Sequence, residues 1–508
     1  RETILYNREE GKVYRSEDLK AIVPYRCTFG YDVIVEVGKA IFQRCLNNNE
    51  IKAELLRKNI SISDREISFL GKKFIVYLAI AHRASSEGLK NALQLNGGFI
   101  LHLDGTCEKD SPHLIVGLDE ISKLVLDSIK LPSEKSEELI PFLSKLKDTY
   151  GNPVALVMDM GKGLLLAVKK VFPDIKVFIC HFHFLRDIGK DLFEVEYLKI
   201  KNHLKTYKIR TSLRMQAKVL GKEIKGDIPK INELGVNIEN NTLNLEKLRH
   251  SYKTLVYILI HWALDTSSQL NGYGFPFDCN HFVFYKNLKI LSNTITQLLK
   301  RCGLNKDSKI LERLQNSLKE VLEDKKLCKT VDIMEEKLEV FQKLRQALKI
   351  AQPDSKKGLN DNGEDEDIKT IENKVKNFLS ELKSRDDLKN KQDYEKLITQ
   401  IEKYWDKLFA DPILVKTQDG EMYIQPQRTN NILEQFFREL KRMFRKKSGV
   451  FSLNRVVKAI LSETPLVKNL GNKEYLQLIL NGCQTLEERF SQIDYKIVHD
   501  ELKKAAIE

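Results

Sequence analysis

Phe99-Ile-Leu-His-Leu-Asp-Gly-Thr106 and Pro153-Val-Ala-Leu-Val-Met-Asp-Met-Gly-Lys-Gly163 are apolar runs that each stop on an aspartate closely followed by glycine. Their lengths and the turn residues around them predict buried strands. Working outward, His113 to Leu118 and Lys123 to Asp127 read as two further strands in a meander with the first, and Lys176 to Ile179 as a fifth. Helical spacing covers Glu134 to Tyr150, where Pro141 is tolerable only near the start or at a kink, and Gly163 to Phe172. The order β-β-β-α-β-α-β predicts an α/β core: a mixed sheet with helices on its faces.

The flanks have a different texture. Val33 to Leu46, Glu50 to Lys58 and Glu66 to His82 are amphipathic, the last opened by cap signals at Ser61 and Ser63. The three either pack as a small bundle or form a helix-turn-helix whose third helix enters a DNA groove. After Leu192 the chain is helical for about two hundred residues, with heptad-like spacing over Leu243 to Ile260, Lys286 to Leu299 and Ile310 to Leu348. Pro353 to Asp367 reads as a polar, acidic linker. Helix resumes from Ile368 to Leu408 and breaks at Asp411-Pro412; an extended piece reaches Pro426. A further helix starts at Asn430 or Asn431 and runs to Lys447, and Leu453 to Glu508 holds two or three more. The expected domains are residues 1–95 (helical, DNA-binding), 96–200 (first part of the core), 201–410 (helical insertion), 411–450 (last part of the core) and 451–508 (helical tail).

In 508 residues, 84 Lys and Arg outweigh 71 Asp and Glu, giving +13 and a pI near 9.0. That balance favours a polyanionic partner, nucleic acid or an anionic membrane. The longest apolar stretch, Thr254 to Leu264, is far short of the ~20 residues a spanning helix needs. No signal peptide is visible. Eight cysteines without a CxxC pair argue against a zinc ribbon and a disulfide framework, and for a reducing compartment. The sequence starts at Arg1, so an upstream zinc module would escape notice.

Asp104 alone reads as a turn former and Asp159 alone as a helix cap. If their strands are neighbours, both carboxylates enter one crevice and repel unless a cation holds them; oxygen donors suit Mg²⁺. Two ions ~3.5–4 Å apart could activate a water or DNA hydroxyl and stabilise the leaving oxygen of a phosphoryl displacement. A third acid is needed, and Glu434, in Thr429-Asn-Asn-Ile-Leu-Glu434, is the candidate. Asn431-x-x-Glu434 also reads as a capping-box variant. Helical spacing places Glu434 at the head of a row Arg438, Lys441, Arg442 and Arg445, with Leu433, Phe437, Leu440 and Phe444 on another stripe. With Arg428, those cations form the expected DNA contacts, or else a solvated basic face. Cys180-x-x-His183 is either half a zinc site, with Cys279-x-His281 a weak partner, or a buried cysteine beside a satisfied histidine.

Asp104, Asp159, Cys180-x-x-His183, the long helical stretch and Glu434 together resemble the Mutator-type DDE transposases and their bacterial and archaeal insertion-sequence relatives, over about Tyr25 to Gly449. The resemblance implies an RNase-H-like core with a helical insertion, a catalytic and metal-binding triad of Asp104, Asp159 and Glu434, and Cys180 and His183 as a family element near the site. It implies two Mg²⁺ (or Mn²⁺) ions, cleavage at element ends with strand transfer into target DNA, and a dimer or larger assembly on that DNA. The setting would be chromosomal DNA, in a prokaryotic cytoplasm or in a nucleus. Two alternatives stay open: an RNase-H-like nuclease without strand transfer, and a domesticated, non-catalytic DNA-binding protein.

Overall fold

Short β-branched and apolar runs place nine strands in a computed structural model that describes residues 5–14, 16–25, 27–226, 251–302, 308–351, 367–385, 391–417 and 420–505. β1 (Leu5–Asn7) and β2 (Lys12–Tyr14) form an N-terminal hairpin. β3 (Ile100–Thr106), β4 (His113–Asp119), β5 (Val125–Leu131), β6 (Ala155–Met158) and β7 (Lys176–Ile179) form the main sheet. β8 (Ile413–Thr417) and β9 (Gly420–Ile424) make a second hairpin. The main sheet runs β5-β4-β3-β6-β7. β3, β4 and β5 are an antiparallel meander, whereas β3, β6 and β7 are mutually parallel. Parallel neighbours require crossovers; helices Ser136–Tyr150 and Lys162–Val171 supply them.

The described residues fall into two compact units, one drawn from 1–184, 361–368 and 404–508, the other from 185–360 and 369–403. In the first, alternation along the strands separates two apolar layers. Leu101, Leu103, Leu156 and Met158 join a large core that runs from the N-terminal helices to the C-terminal tail. Ile100, Ala155, Val157 and Phe178 face the other way, with Ile413 and Ile424 of the second hairpin packed against them.

Three N-terminal helices form as predicted, at Tyr31–Phe42, Asn48–Arg57 and Asp64–Ala84. Asn47 and Glu50 close a capping box and Ser63 caps the third helix. In that third helix every residue from Lys73 to His82 is buried and forms the centre of the core, whereas Arg65, Ser68, Phe69 and Lys72 in its first turns are exposed. The tail packs on it: the Phe490 ring stacks on Tyr77 at 4.9 Å, and His82 Nδ1 lies 3.1 Å from the Tyr475 hydroxyl.

The described residues of the second unit are mostly helical, including Ser251–Leu264, Asn280–Cys302, Lys309–Leu322 and Lys325–Leu348. Residues 243–250 of the first heptad-like stretch, and the expected linker up to residue 366, lie outside the described residues. Among the described residues, no helix is long and apolar enough to cross a membrane.

Candidate active site at the end of the sheet

The register of β3 and β6 decides where the two aspartates stand. Leu103 pairs with Met158 as the last parallel partners, so Asp104 and Asp159 are the next residues along their two chains, just past a pair of strands ~4.8 Å apart. Asp104 was expected at the end of its strand. Instead β3 continues to Thr106, and Asp104 stays in the antiparallel ladder opposite Val116, because β4 outlasts β6 as a partner. Asp104 continues the alternation of Ile100 and His102, so it belongs to the face covered by the second hairpin. It is buried, and its Oδ1 accepts the Gly105 N–H at 2.9 Å.

Asp159 is half-buried and its Oδ1 accepts the Gly161 N–H at 3.0 Å, a local turn that carries the chain into the next helix. The cap position of that helix is Gly161, so capping is not what Asp159 does.

Glu434 reaches this end of the sheet through the Asn431–Ser448 helix. Its N-cap is Asn430, whose side chain makes no capping bond. Asn430 Nδ2 donates to the Leu103 carbonyl at 3.0 Å, Oδ1 lies 2.9 Å from His102 Nδ1, and the backbone N–H points at Cys180 Sγ at 3.3 Å. His102 Nε2 is 2.8 Å from Glu120, which also accepts the Gln427 N–H at 3.1 Å. The His181 N–H donates to the Arg428 carbonyl, and the Cys180 N–H to the Met158 carbonyl, both at 2.8 Å. The loop before the helix is thus stitched to β3, to the residue after β4 and to the end of β7. Glu434 lies one helical turn beyond, its N–H on the Asn430 carbonyl and its Oε1 3.6 Å from His183 Nε2. The capping-box reading of Glu434 is set aside: Asn431 is already inside the helix, and Asn430 is turned to the sheet.

The Cys180 thiol is buried against the Asn430 N–H, and the His183 imidazole faces Glu434. Cys279 belongs to the other unit, where its thiol donates to the Pro276 carbonyl at 3.4 Å. Among the described residues, no three His, Cys, Asp or Glu side chains stand in an arrangement that could hold a metal ion as they are. The donor set of Asp104, Asp159 and Glu434, all carboxylate oxygens, has the chemistry hard divalent cations prefer.

The cations divide into two groups. Arg438, Lys441, Arg442 and Arg445 are exposed along the Asn431–Ser448 helix, behind half-buried Glu434. Arg428, expected as a DNA contact, is buried. Burial, with the charge of Arg428, drives His181 down to about 3, against the opposing hydrogen bond that its Nε2–H donates to the Leu408 carbonyl. The apolar stripe also differs: Leu433, Phe436, Leu440 and Met443 are buried, whereas Phe437 and Phe444 are half-buried shoulders. Both stripes keep positions 3 and 4 apart, so spacing permits either, and the core that receives the helix takes Phe436 and Met443.

His102, Glu120 and Asn430 escaped the sequence reading. A histidine inside an apolar strand and a paired Asn-Asn before a helix were the available signals.

No protein-family model matches the chain, and no curated protein matches it. Among solved structures it is similar to a chain of the Drosophila P element transposase strand transfer complex, at a TM-score of 0.35 and 10% identity over 89% of this chain and 94% of that one.

Proposed function

We propose that this chain is a DNA transposase with an RNase-H-like core, related to the Mutator-type DDE enzymes and their insertion-sequence relatives. One observation carries the reading. Two aspartates directly follow the last parallel pair of β3 and β6, and the N-cap of a downstream helix whose first turn carries a glutamate is bonded to the Leu103 carbonyl of that pair. Within the sheet the strand order is 3-2-1-4-5 in chain sequence, and a helical unit separates the sheet from the glutamate helix; both fit an RNase-H-like fold with an insertion.

In this reading Asp104, Asp159 and Glu434 would hold two Mg²⁺ or Mn²⁺ ions. When bound, such ions supply a lowered pKa for the attacking oxygen and charge stabilisation for the leaving one. The chain does the rest. Asp104 is fixed by the ladder on which it sits, and Glu434 by the bonds at its helix start. Arg438, Lys441, Arg442 and Arg445 neutralise backbone phosphates of double-stranded DNA, the terminal repeats and then the target. A dimer or larger assembly would hold two ends together.

The test uses the full chain, Mg²⁺ or Mn²⁺, and duplexes from the DNA flanking its own coding region. Cleavage and joining are expected, with Asp104→Asn, Asp159→Asn and Glu434→Gln each abolishing both while leaving duplex binding intact. Full activity in Asp104→Asn would sink the proposal. Cleavage without joining selects a nuclease, and binding without cleavage a DNA-binding protein.

A further inference from the structure

We infer that Asn430, held in turn by His102 and Glu120, is a positioning residue that sets where the Glu434 turn stands against the Asp104 peptide. The inference rests on the reading of Asp104 and Glu434 as catalytic carboxylates.

An asparagine at an N-cap ordinarily turns its oxygen to its own helix. Asn430 does not: the helix has no side-chain cap, and the carboxamide spans to β3. Its orientation is fixed by its partners. The Leu103 carbonyl can only accept, so Nδ2 faces it and Oδ1 faces His102. His102 Nδ1 must then carry a hydrogen, and Nε2 meets Glu120, which also takes the Gln427 N–H. His102 and Asn430 are fully buried and Glu120 nearly so. Asn430 Nδ2 and Oδ1 and both His102 ring nitrogens each stand within 3.0 Å of a polar partner, and a buried network of this kind rigidifies its surroundings.

What the network joins gives it a function beyond cohesion. The Leu103 carbonyl and the Asp104 nitrogen belong to one planar peptide. Asn430 grips that peptide with its side chain, and its own carbonyl accepts the Glu434 N–H at 3.0 Å. The path from one carboxylate-bearing residue to the other therefore runs through a peptide plane, a carboxamide and one turn of helix. Glu120 closes the loop from behind by holding both His102 and the Gln427 N–H.

The experiment compares Asn430→Ala, Glu120→Leu and Glu120→Gln in the full chain. A glutamine at position 120 can accept from Gln427 and donate to His102 Nε2, with the ring as its Nδ1–H tautomer, so it preserves the network that leucine breaks. Asn430→Ala and Glu120→Leu are expected to lower kcat for Mn²⁺-dependent cleavage by about tenfold to a hundredfold, the scale of a ~1 Å misplacement. KM for duplex DNA should stay within about twofold, and Glu120→Gln should match the wild type. In metal-free, DNA-free protein, hydrogen exchange over residues 427–435 should quicken roughly tenfold in the two breaking variants while the β3 and β6 peptides stay as protected as before. A kcat for Asn430→Ala within about twofold of wild type overturns the inference. So does Glu120→Gln being as slow as Glu120→Leu, or exchange that quickens equally across the sheet. If Asn430→Ala does not fold, the Glu120 pair decides alone. If the wild type cleaves no DNA, the functional reading fails by itself, and unchanged exchange at 427–435 still overturns the positioning role.

Discussion

Gly163 sits one residue into the helix that follows Asp159, and nothing larger fits there. A Cβ at this position would overlap the Glu134 carbonyl oxygen and stand 3.0 Å from its carbon and 3.3 Å from Lys135 Cα. The overlap with that backbone oxygen exceeds the shortfall of the carbon contacts, which relax at about 3.5–4.0 Å, so Gly163→Ala must move the start of this helix or the Glu134 segment by more than ~1 Å. Two energetic effects oppose each other. Overpacking costs roughly 1–3 kcal/mol, and replacing glycine by alanine in a helix returns up to about 1 kcal/mol. The clash is with backbone, so the upper end of the overpacking range applies and the net loss of stability is ~2 kcal/mol. Under the proposed function, cleavage is less forgiving, because Asp159 lies only four residues upstream, and a ~1 Å displacement costs up to about a hundredfold. Paired measurements test this: urea unfolding for stability, and metal-dependent cleavage for activity. The expected result is a well-folded protein with at least about tenfold slower cleavage. Full-rate cleavage by Gly163→Ala would refute the reasoning, since the Asp159 turn would then tolerate the shift.

Other consequences follow from the same structure. Removing the exposed Arg438 or Lys441 should reduce the salt dependence of duplex binding by about one phosphate contact each, a slope change near 0.9, with no change in thermal stability; an unchanged slope excludes the basic row from the DNA path. His181 is fully buried and held neutral, its pKa depressed from 6.5 to about 3 by burial and by Arg428. The unfolded chain then binds the extra proton first. Its contribution is complete above pH 6.5 and is lost toward pH 3, at up to roughly 1.4 kcal/mol per pH unit, so His181→Asn should flatten the acid limb of a denaturation-versus-pH curve; an unaltered limb counts against the burial argument. Phe490 is fully buried against Tyr77 and Phe74. Phe490→Ala should cost about 3–5 kcal/mol in urea unfolding, and a loss below ~1 kcal/mol would mean the tail is not part of the core.

The five core strands and their order along the chain were legible because buried strands bounded by turns carry a local signal. β7 was predicted to the residue, and β6 within two at its start. β5 was misplaced toward the turn: Lys123 has a positive φ of 61°, and a register shift at Gly117/Leu118 moves the pairing onward to Val125. The β8–β9 hairpin was read only as extended chain, although Asp419-Gly420 is a hairpin signal in the sequence. That the two aspartates follow one parallel pair depended on which strands pair, a non-local fact that the chain order permitted without requiring. The helix face was half right. Spacing located the exposed basic row, but the choice between Phe436 and Phe437 belongs to the core that receives them. Arg428 could not be placed from sequence, because an arginine three residues before a helix gives no sign of the buried His181 beside it.

Asn430 and Leu103 lie 327 positions apart in the chain. During synthesis the sheet emerges from the ribosome hundreds of residues before the hairpin and helix that cover its second face. Until Ile413 and Ile424 arrive, Ile100, Ala155, Val157 and Phe178 stand as a bare apolar surface beside buried polar groups that lack their partners. Such late, long-range closure slows folding and exposes sticky intermediates. A chain truncated before residue 413 should therefore need chaperone capture to stay in solution, and would leave the ribosome without Glu434.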